Sequence, residues 1–183
     1  MMRLFHFSDD PGIQTFVPRP VRALTERRAG FEWLNGPLVW AIDERHQPMY
    51  LFPRQCPRIL LWAKPETKSE DRAQWFGDSK SRMIAFIEQA WLKPFESATF
   101  FSYELPADAF EEIRDAGMWI SRGPAESIGI EALSDLPTEL RMRDVELRVL
   151  NSLAPLKNLW RTSLHASGIR LRNATDWGKP ATA

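Results

Sequence analysis

The stretch LVWAIDERHQPMYLFPRQCPR occupies residues 38–58. Residues 38–42 follow Pro37, are apolar and β-prone, and read as a buried strand. Asp43 then stands where a helix N-cap would, and residues 46–52 fit a two-turn helix closed by Pro53. Pro48 suits that helix only in its first turn. A return strand over residues 49–52 is the alternative. A further strand is expected at residues 58–63.

Working outward, residues 3–7 form a short strand that carries His6 between Phe5 and Phe7 and stops at Ser8-Asp9-Asp10-Pro11-Gly12. Residues 13–30 are a long connection, either an ordered wall or a lid. Residues 64–71 are polar and predict an exposed loop. The apolar residues of 82–92 fall near helical spacing and predict a helix. Residues 98–105 read as a strand, and residues 107–116 as a helix that opens after Pro106 and stops at Gly117. Strands are expected at 119–121, 127–133 and 146–150, with helices at 134–142 and from Pro155 to Trp160. Residues 168–173 form the last ordered piece. About seven short strands and four or five short helices, without regular βαβ alternation, predict an α+β class. The expected form is a single domain over residues 1–174, with a split mixed or antiparallel sheet and short flanking helices. Residues 175–183 read as a disordered tail.

Composition narrows the function classes. Lys+Arg and Asp+Glu are equal at 24 each, which argues against a broad grip on nucleic acid or an anionic membrane. Cys56 is the sole cysteine, so an internal disulfide is impossible and a reducing cytoplasm is the expected compartment. No apolar run is long enough to span a bilayer, and the first residues lack a signal-peptide pattern. Gly-rich phosphate loops and nucleophile elbows are missing. The three histidines stand at no ligand spacing, so no metal is expected.

The residues that could carry chemistry are few. His6 is either a core histidine held by a backbone carbonyl or a ligand-orienting donor at a cleft, with Ser8 framing the ligand beside it. Trp40 leads into Tyr50, which is either a rim residue or a ring on which a planar ligand stacks. Arg19, Arg54 and Arg58 sit beside prolines, and Arg170 and Arg172 are expected on one face of a strand, opposite Ile169 and Leu171. Guanidinium forks on stiff loops suit phosphate or carboxylate, or else pair with the protein's own acids. Glu126 and Glu131 lie on or beside a late strand, where a carboxylate could act on a sugar hydroxyl.

Three blocks carry a resemblance: LFHFSDDPGIQTFVPRP, GPLVWAIDERHQPMYLFPRQCPRI and ELRVLNSLAPLKNLWRTSLHASGIRLRNA. They resemble a bacterial domain-of-unknown-function family of about this length, which implies no activity. The order of a histidine strand, a tyrosine element and a late acidic strand is also similar to the H-Y-E arrangement of ADP-ribosyltransferase-like folds. That resemblance implies NAD as the cofactor, with ADP-ribosyl transfer or NAD hydrolysis as the reaction. It places His6 on the ribose, Tyr50 on the nicotinamide, Arg54 or Arg19 on phosphate, and Glu131 ahead of Glu126 as the acid. The rival expectation is a non-catalytic module that binds an anionic ligand or a partner protein.

Overall fold

The computed structural model describes residues 2–22, 24 and 26–179. It has a mixed α+β architecture, in which the chain gathers into two compact units. One comprises Met1–Gln47 and Thr99–Leu133, the other Pro48–Ala98 and Ser134–Ala183.

The chain enters the first unit with β1 (Leu4–Ser8), β2 (Thr15–Phe16) and β3 (Val39–Asp43). It crosses into the second unit for β4 (Arg58–Trp62), α1 (Ser69–Phe76), β5 (Met83–Glu88) and α2 (Leu92–Ser97). It returns for β6 (Phe100–Leu105), β7 (Glu111–Glu112), β8 (Met118–Ser121), β9 (Ala125–Glu126) and β10 (Gly129–Leu133). It ends in the second unit with α3 (Leu136–Met142), β11 (Val145–Leu150) and β12 (His165–Ile169).

The first unit is an antiparallel sheet in the order β10-β6-β1-β3-β8-β7, plus the small β2-β9 pair. One sheet face carries Leu4, Val39, Ala41, Tyr103 and Leu105, and Phe16 and Phe110 pack on that cluster. Alternation along the strands produces this face, as expected for a sheet with one side in a core.

The second unit is a mixed sheet in the order β11-β5-β4-β12, with β5 and β11 parallel. Every residue of β4 and of β5 is buried. Ile59, Leu61, Ile84 and Phe86 point into a cluster completed by Phe76, Leu153, Leu156 and Leu159. Burial on both faces explains one misreading of type. Met83–Glu88 was expected within a helix and is a central strand. A strand apolar on both sides loses its period of two, and its run then imitates helical spacing.

Other corrections have local causes. Residues 69–71, expected in a loop, open α1. Its last carbonyls, those of Trp75 and Phe76, accept hydrogen bonds from the Arg148 guanidinium at 2.7 and 3.1 Å, a cap supplied from far along the chain. The helix expected over residues 107–116 shrinks to one turn at Ala107–Ala109. Phe110 is buried on an extended backbone, and Arg114 and Ala116 take left-handed conformations. Arg170 also turns left-handed directly after β12, so Arg170 and Arg172 do not share a strand face. The 46–52 element is a single turn at Gln47–Tyr50 with Pro48 near its start, and Asp43 accepts the His46 N–H at 2.7 Å.

Residues 175–179, expected in the tail, are held; residues 180–183 lie outside the described residues. The Glu88 carboxylate, 2% exposed, accepts hydrogen bonds from the Leu153 N–H, the Thr175 N–H and the Thr175 hydroxyl at 2.9–3.1 Å. Trp177 packs edge-on against Trp160. Among the described residues no helix is long and apolar enough to cross a membrane.

Two outcomes are expected. Glu88→Ala strands these donors and lowers the urea-unfolding free energy by about 2 kcal/mol; a loss below about 0.5 kcal/mol contradicts the clamp. Asp71 accepts the Ser163 hydroxyl and N–H at 2.6 and 2.7 Å, and these bonds hold its pKa below the ordinary carboxylate value. Its contribution is therefore present above about pH 4 and fades as pH falls through the lowered folded value. Asp71→Asn should flatten the acid limb of a stability–pH curve, and an unchanged limb contradicts the assignment.

A guanidinium cluster as the candidate functional site

Six of the residues singled out from the sequence belong to the first unit: His6, Ser8, Arg19, Trp40, Glu126 and Glu131. Nδ1 of His6 lies 2.7 Å from the carbonyl oxygen of Trp40. A carbonyl only accepts, so Nδ1 carries the proton and donates. The ring also packs on Phe16 at 4.6 Å between centroids. Ser8 accepts the Asp10 N–H, and Asp10 accepts the Gly12 N–H. The Tyr103 hydroxyl donates to the Asp10 carbonyl at 2.6 Å and accepts the Ile13 N–H at 3.2 Å. The Ser8–Gly12 reversal is thus braced by its own side chains and by one buried tyrosine.

Strand register separates the two glutamates. His6 pairs with Tyr103, which pairs with Ile130. Glu131 pairs with Ser102, which pairs with Phe7. Side chains alternate across a sheet, so His6 and Glu131 lie on opposite faces. Glu126 pairs with Thr15 and lines an open cleft of about 430 Å³ with Gly12, Gln14, Tyr103, Ser127 and Ile130. Tyr103 belongs to the His6 face. Arg19 is exposed and bridges backbone-to-backbone with Leu38. Trp40 lies under the Arg27 guanidinium at 5.7 Å.

Tyr50 and Arg54 belong to the second unit, and there the geometry converges. Arg58 opens β4 and is 3% exposed. Its Nε donates to the Met49 carbonyl at 2.8 Å and its Nη1 to the Cys56 carbonyl at 3.0 Å. The guanidinium lies 5.4 Å from the Phe52 ring centroid and 5.9 Å from that of Tyr50. Among the described residues it meets no carboxylate, and Nη2 has no acceptor. Burial lowers its pKa to about 10, and the charge of Arg170 adds to that effect.

The neighbouring loop is held with equal care. Arg170 Nε donates to the Arg54 carbonyl at 3.2 Å, and Asn173 Nδ2 to the Gln55 carbonyl at 2.8 Å. With Arg58 on Cys56, three successive carbonyls each receive a side-chain donor. Burial, then the charges of Arg172 and Arg54, depress the pKa of Arg170. Arg54, Arg58, Arg170 and Arg172 therefore share one positive region with the Tyr50 ring beside it. Neither Arg170 nor Arg172 meets a carboxylate among the described residues. Such a region attracts an anion whose oxygens complete the guanidinium forks.

Arg58 was legible in the sequence only as an arginine on a stiff, proline-flanked loop, and Arg170 only as a residue on one face of an expected strand. The sharper signal is an arginine heading a strand of otherwise apolar residues, Arg58-Ile59-Leu60-Leu61-Trp62, where burial is assured. A second pair missed by sequence reading is Asp43 and His46 in the first unit, joined through Nδ1 at 2.8 Å. Gly117, at φ +75°, leaves room for them, since a Cβ there would come within 2.3 Å of the imidazole.

Fold and site together give a mixed α+β protein whose second unit carries a cluster of arginines. The chain belongs to DUF6886, a family of unknown function whose model matches residues 5–174. No curated protein and no solved structure matches it.

Cys56 is fully buried, and burial pushes its thiol up to about 12. Native protein should resist iodoacetamide at pH 8 and react stoichiometrically once unfolded in urea. Rapid labelling of the native chain contradicts the buried assignment.

Proposed function

We propose that this protein binds an anionic, phosphate-bearing small molecule of the nucleotide class at the guanidinium cluster of its second unit. The observation that carries this reading is Arg58, a buried guanidinium without a carboxylate partner among the described residues. Burying an unpaired charge costs several kcal/mol, and a fold retains it most readily where a ligand completes it. Tyr50 supplies an aromatic face beside that charge, and Arg54 stands in the braced loop. NAD and ADP-ribose combine both chemistries, a planar ring and phosphate. The reading is that of a binding module and needs no catalytic group.

The melt of the purified chain tests it with NAD, ADP-ribose or nicotinamide at millimolar concentration. ADP-ribose or NAD at about 100 times its dissociation constant stabilises by about 2.7 kcal/mol, a rise of roughly 5–10 °C. Nicotinamide, which lacks phosphate, should leave the melt unchanged. Arg58→Met should abolish the shift; because it also strands the Met49 and Cys56 carbonyls, the free variant should melt lower than the parent, and each shift is measured against its own ligand-free melt. A shift that survives in Arg58→Met, or one produced by nicotinamide alone, overturns the assignment.

A second reading, ADP-ribosyl transfer or NAD hydrolysis, draws on the first unit. His6 and Tyr103 share a sheet face, and Glu126 lines the cleft that Tyr103 floors. Register supports Glu126 rather than Glu131 for the acidic role. An enzyme of this kind should release nicotinamide from NAD, lose that release in Glu126→Gln and retain it in Glu131→Gln. Equal release from both variants removes Glu126 from the chemistry.

A further inference from the structure

We infer that two copies of this chain pair through the outer edge of β11, antiparallel and about a two-fold axis at Leu147, so that the four-stranded sheets of their second units join. This surface is independent of the arginine cluster.

β11 ends the order β11-β5-β4-β12, and its strand partner among the described residues is β5. Apart from that ladder, no backbone group of residues 146–150 forms a hydrogen bond among the described residues. The register to β5 runs unbroken from Val145 to Leu150, with no proline or bulge to deflect a further strand. An edge of this kind is a template for strand addition.

The side chains of β11 say which strand fits. Glu146 and Arg148 share the face of Ile84 and Phe86, while Val145, Leu147 and Val149 share the other. Turned about Leu147, the run Val145-Glu146-Leu147-Arg148-Val149 is complementary to itself. Glu146 falls opposite the partner's Arg148 and Arg148 opposite the partner's Glu146, and apolar residues oppose apolar ones. The charged row is held in place within each chain. Arg148 donates from Nε to Glu146 at 2.6 Å, and its other nitrogens bond the Trp75 and Phe76 carbonyls. The other sheet ends lack this order. β7 is two glutamates, β10 has Glu131 and no basic residue, and β12 is interrupted by Gly168.

An open groove of about 380 Å³ accompanies the edge. It is lined by Val145 and Leu147 of β11, by Pro137, Leu140 and Arg141 of α3, and by Ser81. The partner's Val149 and Leu147 stand across from Val145 and Leu147, on the groove's own face, and burial of this apolar row drives the association. A copy of β11 brings the apolar row and the reversed charges together, so the occupant is a second chain.

Sedimentation equilibrium of the full chain over a range of concentrations tests the pairing. The parent is expected to reach twice the chain mass. Leu147→Lys and Leu147→Glu should each remain monomeric, because like charges then meet at the axis, and an equimolar mixture of the two should recover the dimer. Cysteine variants give a second measurement with a smaller change of side chain. Cys56 is fully buried, so Leu147→Cys adds an accessible thiol. Mild oxidation should link two copies of Leu147→Cys across the axis and link Val145→Cys, which faces the partner's Val149, far less. A parent that stays monomeric up to its solubility limit overturns the inference, as does a dimer that both charged variants preserve. Folded Lys and Glu variants that fail to recombine, or equal cross-linking of the two cysteine variants, overturn the axis at Leu147.

Discussion

The second unit is organised around one buried guanidinium. Arg58 enters β4 where a sequence of apolar residues ensures burial, and there it cannot keep water as its partner. The carbonyls of Met49 and Cys56 replace part of that water, and this fixes the turn at Gln47–Tyr50 and the loop after Pro53. Neutral acceptors satisfy hydrogen bonds without cancelling charge. The charge of Arg170 adds to the burial that lowers the pKa of Arg58, and the pKa of Arg170 is itself depressed by burial and by Arg172 and Arg54. Structure and proposed function therefore have the same origin: the hydrogen bonds that hold the loop leave a positive field unspent.

The first unit solves a different problem. Its opening strand ends in Ser8-Asp9-Asp10-Pro11-Gly12, a reversal rich in polar groups next to an apolar sheet face. Tyr103 bridges the two, with its ring in the core and its hydroxyl bonded to Asp10 and Ile13. His6 stands beside it, with its proton on Nδ1 directed at Trp40. The ring in the apolar strand is thus satisfied locally, which is one of the two readings its sequence context allowed. Asp43 and His46 use the same device at the end of β3, a side chain closing a turn that the backbone cannot close alone.

Much of the element order was readable because local chemistry and final environment agree. β1, β3, β4, β6, β8, β10 and β11 coincide with short β-prone runs bounded by Pro, Gly or Asp, and α3 follows a polar start at Asp135. Misreadings occur where the environment overrides the pattern. Met83–Glu88 is buried on both faces, and α1 is completed by Arg148 from far along the chain. The site divided similarly. Proline-flanked arginines and Tyr50 were visible as residue types, whereas the convergence of Arg58 and Arg170 on one loop depends on β4 pairing with β12.

By itself the sequence determined the α+β class, the positions of most strands and the short list of side chains able to do chemistry. These follow from side-chain period, backbone restriction at Pro and Gly, and the scarcity of ionisable groups in apolar runs. Only the tertiary structure decided which of those side chains face one another. It put His6 and Glu131 on opposite faces of one sheet, because a strand reverses its side chains at every residue and register cannot be read from one strand alone. It gathered Arg58, Arg170 and Asn173 around three carbonyls of one loop, because hydrogen-bond partners more than a hundred residues apart are chosen by sheet pairing and not by spacing.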